Sequence, residues 1–190
     1  MSQTDTPARD ARARAVRERA ECIHDADSVQ TAFDRLAEAI SADYADRNPL
    51  MLCVMVGGVY MTSELTRRLD FPFELDFLHA SRYRGETSGG ELVWRISPEQ
   101  PLVDRHVLLL DDILDYGHTL VGIHRALQAQ QPASLKTAML CRKDHGRCVP
   151  EAEVDYIGLT VPDRYVFGCG MDYRNYYRQL PGIYAVRDEE

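Results

Sequence analysis

At 190 residues the chain suits one domain able to bury a sizeable core, and no apolar run approaches the ~20 residues of a membrane span. A formal net charge of −8 argues against a nucleic-acid partner, since phosphate backbones are bound by basic surfaces, although a local basic pocket for an anionic substrate is still allowed. The cysteines, Cys22, Cys53, Cys141, Cys148 and Cys169, are odd in number and contain no C-x-x-C, which indicates neither a disulfide framework nor a zinc site and points to a reducing cytoplasm.

Residues 1–21 are polar and rich in Ala and Arg, with acids interspersed and no apolar signal core after them. They read as a frayed helix extension or a disordered tail, ahead of one domain over residues 22–190. Asp25, Asp27 and Ser28 offer helix caps, and Val29, Phe33, Leu36, Ile40 and Tyr44 recur at helical spacing until Asn48-Pro49. Leu50 to Val56 is an apolar run of strand length. It leads into Gly57-Gly58 and a helical pattern ending near Leu69. The Gly pair fits a plain turn or a close approach of backbone to ligand. Phe73, Leu75 and Phe77 alternate as a strand, residues 81–90 form a polar Gly-rich loop, and Glu91 to Ile96 reads as the return strand of a hairpin.

The most informative stretch is His106 to Leu120. Val107 to Leu110 reads as a buried strand and Thr119 to Gln131 as a helix, with Asp111, Asp112, Asp115, Gly117, His118 and Thr119 in the turn between them. Such a turn leaves backbone N–H groups unpaired at a helix N-terminus, where an anion is favoured, while its acids suit sugar hydroxyls or a divalent cation. On shape alone it also fits ordinary strand-to-helix punctuation. Leu135 to Cys141 follows as a strand, Lys143 to Pro150 as a polar loop, and Val154 to Val161 as a further strand. Val161 to Arg178 is dense in aromatics and charges, and Gly182 to Val186 closes the chain as a short strand. The alternation of strands and helices predicts an α/β fold, a parallel sheet covered on both faces with ligands at the strands' C-terminal ends.

The order Val107-Leu108-Leu109-Leu110, Asp111-Asp112, Ile113-Leu114, Asp115-Tyr116-Gly117-His118-Thr119 resembles the phosphoribosyl-pyrophosphate (PRPP) motif of type I phosphoribosyltransferases. Pro162-Asp163-Arg164-Tyr165-Val166, followed by Met171-Asp172-Tyr173 and Arg178, is similar to the purine-binding end of the hypoxanthine-guanine members. The resemblance runs from about Ser28 to the C-terminus. It implies a type I phosphoribosyltransferase fold: a central, mostly parallel sheet flanked by helices, with a small hood built partly from the C-terminal segment over the base site. It also implies Mg²⁺ as cofactor, PRPP and a 6-oxopurine as substrates, pyrophosphate and a purine nucleotide as products, and a homo-oligomer, dimer or tetramer.

By the same resemblance, Asp111 and Asp112 hold the ribose hydroxyls and a Mg²⁺, and the 5′-phosphate lies on Asp115, Tyr116, Gly117, His118 and Thr119. Asp115 is the general base. Lys143 donates to the purine 6-oxo group, Tyr165 stacks on the ring and Val166 reads its edge through backbone. Asp172 ligates a second Mg²⁺, and Val56, Gly57, Gly58 and Arg178 take the pyrophosphate. Two positions depart from the family pattern. Val56 stands where Lys is common before the first Gly, and Arg82-Tyr83 stands where the closing loop commonly has Ser-Tyr. Arg142, adjacent to Lys143, competes for the 6-oxo role. A xanthine-preferring transferase and a PRPP-sensing regulator are the alternative functions.

Overall fold

The computed structural model describes residues 6–82 and 92–187. Their helices are α1 (Thr6–Arg19), α2 (Ala26–Tyr44), α3 (Gly58–Thr66) and α4 (His118–Gln128). The strands are β1 (Glu21–His24), β2 (Leu50–Val54), β3 (Glu74–Arg82), β4 (Leu92–Ile96), β5 (His106–Leu114), β6 (Ser134–Asp144), β7 (Tyr156–Pro162), β8 (Val166–Phe167) and β9 (Ile183–Ala185). Six of them make one sheet in the order β4-β3-β2-β5-β6-β7. All neighbours are parallel except the β3–β4 hairpin at the edge.

The sheet is apolar on both faces because helices cover both, so its central strands carry no polar alternation. On one face α2 lays Val29, Phe33, Leu36 and Ile40 against Met51, Leu108, Leu110, Ala138 and Leu140. On the other, Leu120, Ile123 and Leu127 of α4 meet Leu50, Leu52, Leu109 and Met139. Helix α2 starts where the Asp25 carboxylate accepts the Ser28 N–H at 2.9 Å, as its capping residues predicted. Among the described residues no helix is long and apolar enough to cross a membrane.

Several boundaries depart from the sequence reading. β5 outlasts its apolar run, since its ladder with β6 continues through Asp111↔Met139 and Ile113↔Cys141 to Leu114↔Arg142. Asp111 and Asp112 therefore sit on strand rather than turn. β6 likewise runs on past Cys141, held by β7 at Lys143↔Val161 and Asp144↔Pro162, so Lys143 is a strand residue and not a loop residue. Helix α4 begins at His118 and stops at Gln128, short of Gln131, whose φ of 56° no helix continues through. On β3, Leu75 and Phe77 face outward while Asp76 is buried, its carboxylate accepting the N–H groups of Phe77, Glu99 and Gln100 at 2.7, 2.7 and 2.9 Å.

A second, antiparallel sheet, β1-β9-β8, forms a hood beyond the C-terminal ends of the main strands. It is not built from the C-terminal segment alone. Glu21–His24 supplies its outer strand, a strand the sequence reading lacked, and Arg164 ties it in by reaching Glu21 at 2.6 Å and the Val186 carbonyl at 2.9 Å. Residues 6–19 are helical and dock on this hood: Ala13 is buried beside Phe167 and Tyr173, and the Arg17 guanidinium lies 4.0 Å above the Tyr184 ring.

Candidate active site

Three chain segments meet at the C-terminal end of β5: the turn after β2, the end of β5 itself, and the loop after β8. Their backbones approach so closely that side chains are excluded. A Cβ on Gly57 would lie 2.1 Å from Asp112 Oδ2, and one on Gly170, whose φ is 102°, would lie 2.2 Å from the Gly57 carbonyl oxygen. Gly58 opens α3 directly against the Leu110 carbonyl, where a Cβ would be 2.6 Å away. The peptide before this turn, Met55–Val56, is cis, and Val56 is about half exposed.

The carboxylates at the end of β5 are crowded and half-buried. Burial and the neighbouring Asp112 charge push the Asp111 carboxyl well above the usual carboxylate range, while burial raises Asp112 against the opposing pull of the Arg178 guanidinium. Such a pair calls for cations. Arg178 supplies one nearby, donating to the Gly170 carbonyl at 2.6 Å and pairing with Asp172 Oδ1 at 2.5 Å. The other Asp172 oxygen accepts the Asn175 N–H at 2.6 Å.

After β5 the chain turns sharply at Gly117, whose φ of 82° belongs to the left-handed region that a side chain resists. Any Cβ there would also strike Ala152 at 2.3 Å. Asp111, Asp115, Tyr116, Gly117, His118 and Thr119 border a cavity of about 350 Å³ at the start of α4. A second cavity of about 180 Å³ is bordered by Asp112, Asp115, Lys143, Tyr165, Val166 and Asp172. Asp115 and Ile113 line both.

Asp115 is held on each oxygen. Lys143 Nζ lies 2.9 Å from Oδ2 and His145 Nε2 lies 2.7 Å from Oδ1. Burial alone would raise this carboxyl, but these two donors outweigh it and keep Asp115 below the ordinary carboxylate value. Above the same cavity Tyr165 is 52% exposed, so it is no core residue. Its ring meets Tyr173 edge-on at 5.7 Å. Val166 is buried in β8, paired with Ala185.

The structure thus brings together Asp111, Asp112, Asp115, Lys143, Tyr165, Val166, Asp172 and Arg178 with the Gly57–Gly58 and 116–119 turns. Arg142 is exposed and lines neither cavity, because neighbours on a strand face opposite ways. Arg82 ends β3 opposite Leu92, and Tyr83 lies outside the described residues. His145 was not anticipated: it stands in the bend just past β6, where its N–H meets the Lys143 carbonyl at 3.2 Å, while Met171, part of the purine-end motif, lines the smaller cavity.

A phosphoribosyl transferase domain model matches residues 20–174. The chain belongs to that family. It is 37% identical over 166 residues to the hypoxanthine-guanine-xanthine phosphoribosyltransferase of Tritrichomonas foetus, covering 87% of this chain and 91% of that one. To the hypoxanthine-guanine phosphoribosyltransferase of Streptococcus pneumoniae it is 35% identical over 164 residues, covering 86% and 91%. The crystal structure of a hypoxanthine phosphoribosyltransferase from Staphylococcus aureus superposes with a TM-score of 0.83 at 30% identity, covering 88% of this chain and 91% of that one. The six-stranded, mostly parallel sheet with its hood is therefore the type I phosphoribosyltransferase fold.

Proposed function

We propose that the protein transfers the phosphoribosyl group of PRPP to a 6-oxopurine, hypoxanthine or guanine, releasing pyrophosphate and the purine nucleotide. The observation that carries this reading is Asp115 on the wall between two cavities, one bounded by the phosphate-type turn and the other by Lys143 and an exposed aromatic face.

On this reading the backbone of Asp115 to Thr119 takes the 5′-phosphate at the α4 N-terminus, and Asp111 and Asp112 accept the ribose hydroxyls. The base slides between Tyr165 and the floor at Ile113, its 6-oxo group toward Lys143 and its imidazole N–H toward Asp115. Pyrophosphate lies by Gly57, Gly58 and Arg178, with Val56 contributing main chain only. As bonds to pyrophosphate lengthen, the sugar becomes oxocarbenium-like. The half-buried carboxylates oppose that positive charge while Asp115 takes the base's proton.

The residues fit Mg²⁺. The ion characteristically uses one or two carboxylates plus substrate phosphates, and Asp111 with Asp112 offers that pair, while the described residues hold no cluster of three or more candidate ligands. When bound with PRPP, Mg²⁺ would neutralise the departing pyrophosphate. Asp172 would hold a second Mg²⁺ only by loosening its pair with Arg178.

Self-association is part of the proposal. Val59, Leu75 and Phe77 are exposed around an apolar groove of about 480 Å³ between α3 and β3, next to the exposed Val56. Sedimentation velocity tests this, with a monomer at micromolar concentration as the contrary result. The activity itself is tested by nucleotide formation from PRPP, Mg²⁺ and each purine.

A further inference from the structure

We propose that His145 is a positioning residue, holding the Asp115 carboxylate in its working orientation by one oxygen while Lys143, on the other, turns its remaining donors to the base. This rests on the reading of the site given above.

One donor alone does not fix a carboxylate, because the terminal torsion of Asp is broad. Two donors on separate oxygens fix its plane. Lys143 on Oδ2 and His145 on Oδ1 do this, and each oxygen keeps a further acceptor site for an incoming N–H. The ammonium also sits on a flexible stem and has a second task at the purine, so its hold on Asp115 is the one that changes as substrate binds. The imidazole has no such second task. It is 6% exposed, and its Nδ1 accepts the Arg147 N–H at 3.1 Å, which leaves Nε2 as the protonated nitrogen that donates to Asp115.

His145 itself is braced. Its N–H donates to the Lys143 carbonyl at 3.2 Å, fixing the two residues relative to each other. Further along, the Val149 N–H donates to the Tyr116 carbonyl at 3.0 Å, the Arg147 guanidinium lies 5.2 Å from the Tyr116 ring centre, and Ala152 packs where a Gly117 side chain would be. Residues 145–152 therefore grip the turn on which Asp115 stands, and His145 is the point at which that grip reaches the carboxylate.

The test compares wild type, His145→Leu and His145→Gln on hypoxanthine and PRPP. Leu fills similar space without a donor, whereas Gln places an amide nitrogen as many bonds from the backbone as Nε2. We expect Leu to lower kcat by about 10²-fold, the usual cost of a misplaced catalytic group, with the KM for PRPP within about twofold. Gln should restore most of the loss. In an Asp115→Asn background, His145→Leu should cost little more, since a residue acting through Asp115 has nothing left to position. If the Leu variant does not fold, Gln against the shorter Asn decides, with an active Gln variant and a slow, folded Asn variant expected. An active wild type with an unimpaired Leu variant, or a further full loss on top of Asp115→Asn, overturns this inference alone. A wild type that forms no nucleotide overturns the functional reading and the inference with it.

Discussion

Lys143 at the end of β6 and Asp115 in the turn after β5 form an ion pair, Nζ to Oδ2 at 2.9 Å, that bridges the two strands across the mouth of the smaller cavity. The pair puts a group with donors and no acceptor beside a group that accepts, and both border a space roofed by Tyr165.

That arrangement makes a prediction about base choice. An ammonium favours a 6-oxo group and faces another donor if adenine enters, a mismatch that sites built on hydrogen bonds punish by roughly 10⁴-fold or more. Lys143→Ala should lose kcat/KM on hypoxanthine and guanine far more than it alters PRPP affinity, and the exposed Arg142→Ala should behave as wild type. Steady-state kinetics on both variants checks this; a loss in the Arg142 variant alone would move the role one residue.

Asp115→Asn should reduce turnover by about 10² to 10⁴ while PRPP still binds. It also carries a pH signature in stability. Because Lys143 and His145 hold the folded carboxyl below its unfolded value of about 4, its contribution is fully present above that value and is lost as pH falls through the lowered folded value. The stability gap between wild type and variant, from urea unfolding, should therefore be constant from about pH 7 to 5 and narrow below about 4. A gap that widens on acidification would contradict it.

Asp111 has the opposite sign. Burial and the Asp112 charge raise it, so at neutral pH its ionised form destabilises the unliganded fold. Asp111→Asn keeps an oxygen for the Asp112 N–H that Asp111 accepts at 2.9 Å and removes the repulsion. The variant should gain on the order of 1 kcal/mol, roughly 2–4 °C in Tm for a domain of this size, and lose Mg²⁺-dependent PRPP binding. Calorimetry of the apo-protein and of PRPP binding measures both, and a variant that is destabilised yet binds PRPP normally would refute the account.

Tyr165 is exposed enough that its replacement should leave folding alone. Phe should preserve purine affinity, and Ala should weaken it by about 1–3 kcal/mol, the value of a base stacked on an aromatic platform. Unfolding of the Ala variant, with no selective change in purine binding, would return Tyr165 to a packing role.

The order of residues from Asp111 to Thr119 makes this stretch legible through its resemblance to the PRPP motif, whereas its shape alone fits ordinary strand-to-helix punctuation equally well and hides that Asp111 and Asp112 lie on β5. Lys143 is also legible, but on the wrong element: Arg142, Lys143 and Asp144 look like loop by polarity, and they are strand only because β7 continues the ladder beside them. The same polarity hides His145. β1 cannot be found locally, since Glu21-Cys22-Ile23-His24 is short and mixed and becomes strand through β9 at the far end of the chain. The outward turn of Leu75 and Phe77 is equally hidden, because the alternation shows two faces and only Asp76, capturing the N–H groups of Glu99 and Gln100, says which one is inside.

The most direct measurement is nucleotide formation when the purified protein is incubated with PRPP, Mg²⁺ and hypoxanthine, guanine, xanthine or adenine in turn, with a chelator control. The account predicts IMP from hypoxanthine or GMP from guanine with pyrophosphate in equal amount, none from adenine, and none in excess chelator. Binding of PRPP without nucleotide from any oxopurine, as expected of a PRPP sensor, or full activity without metal, would contradict it.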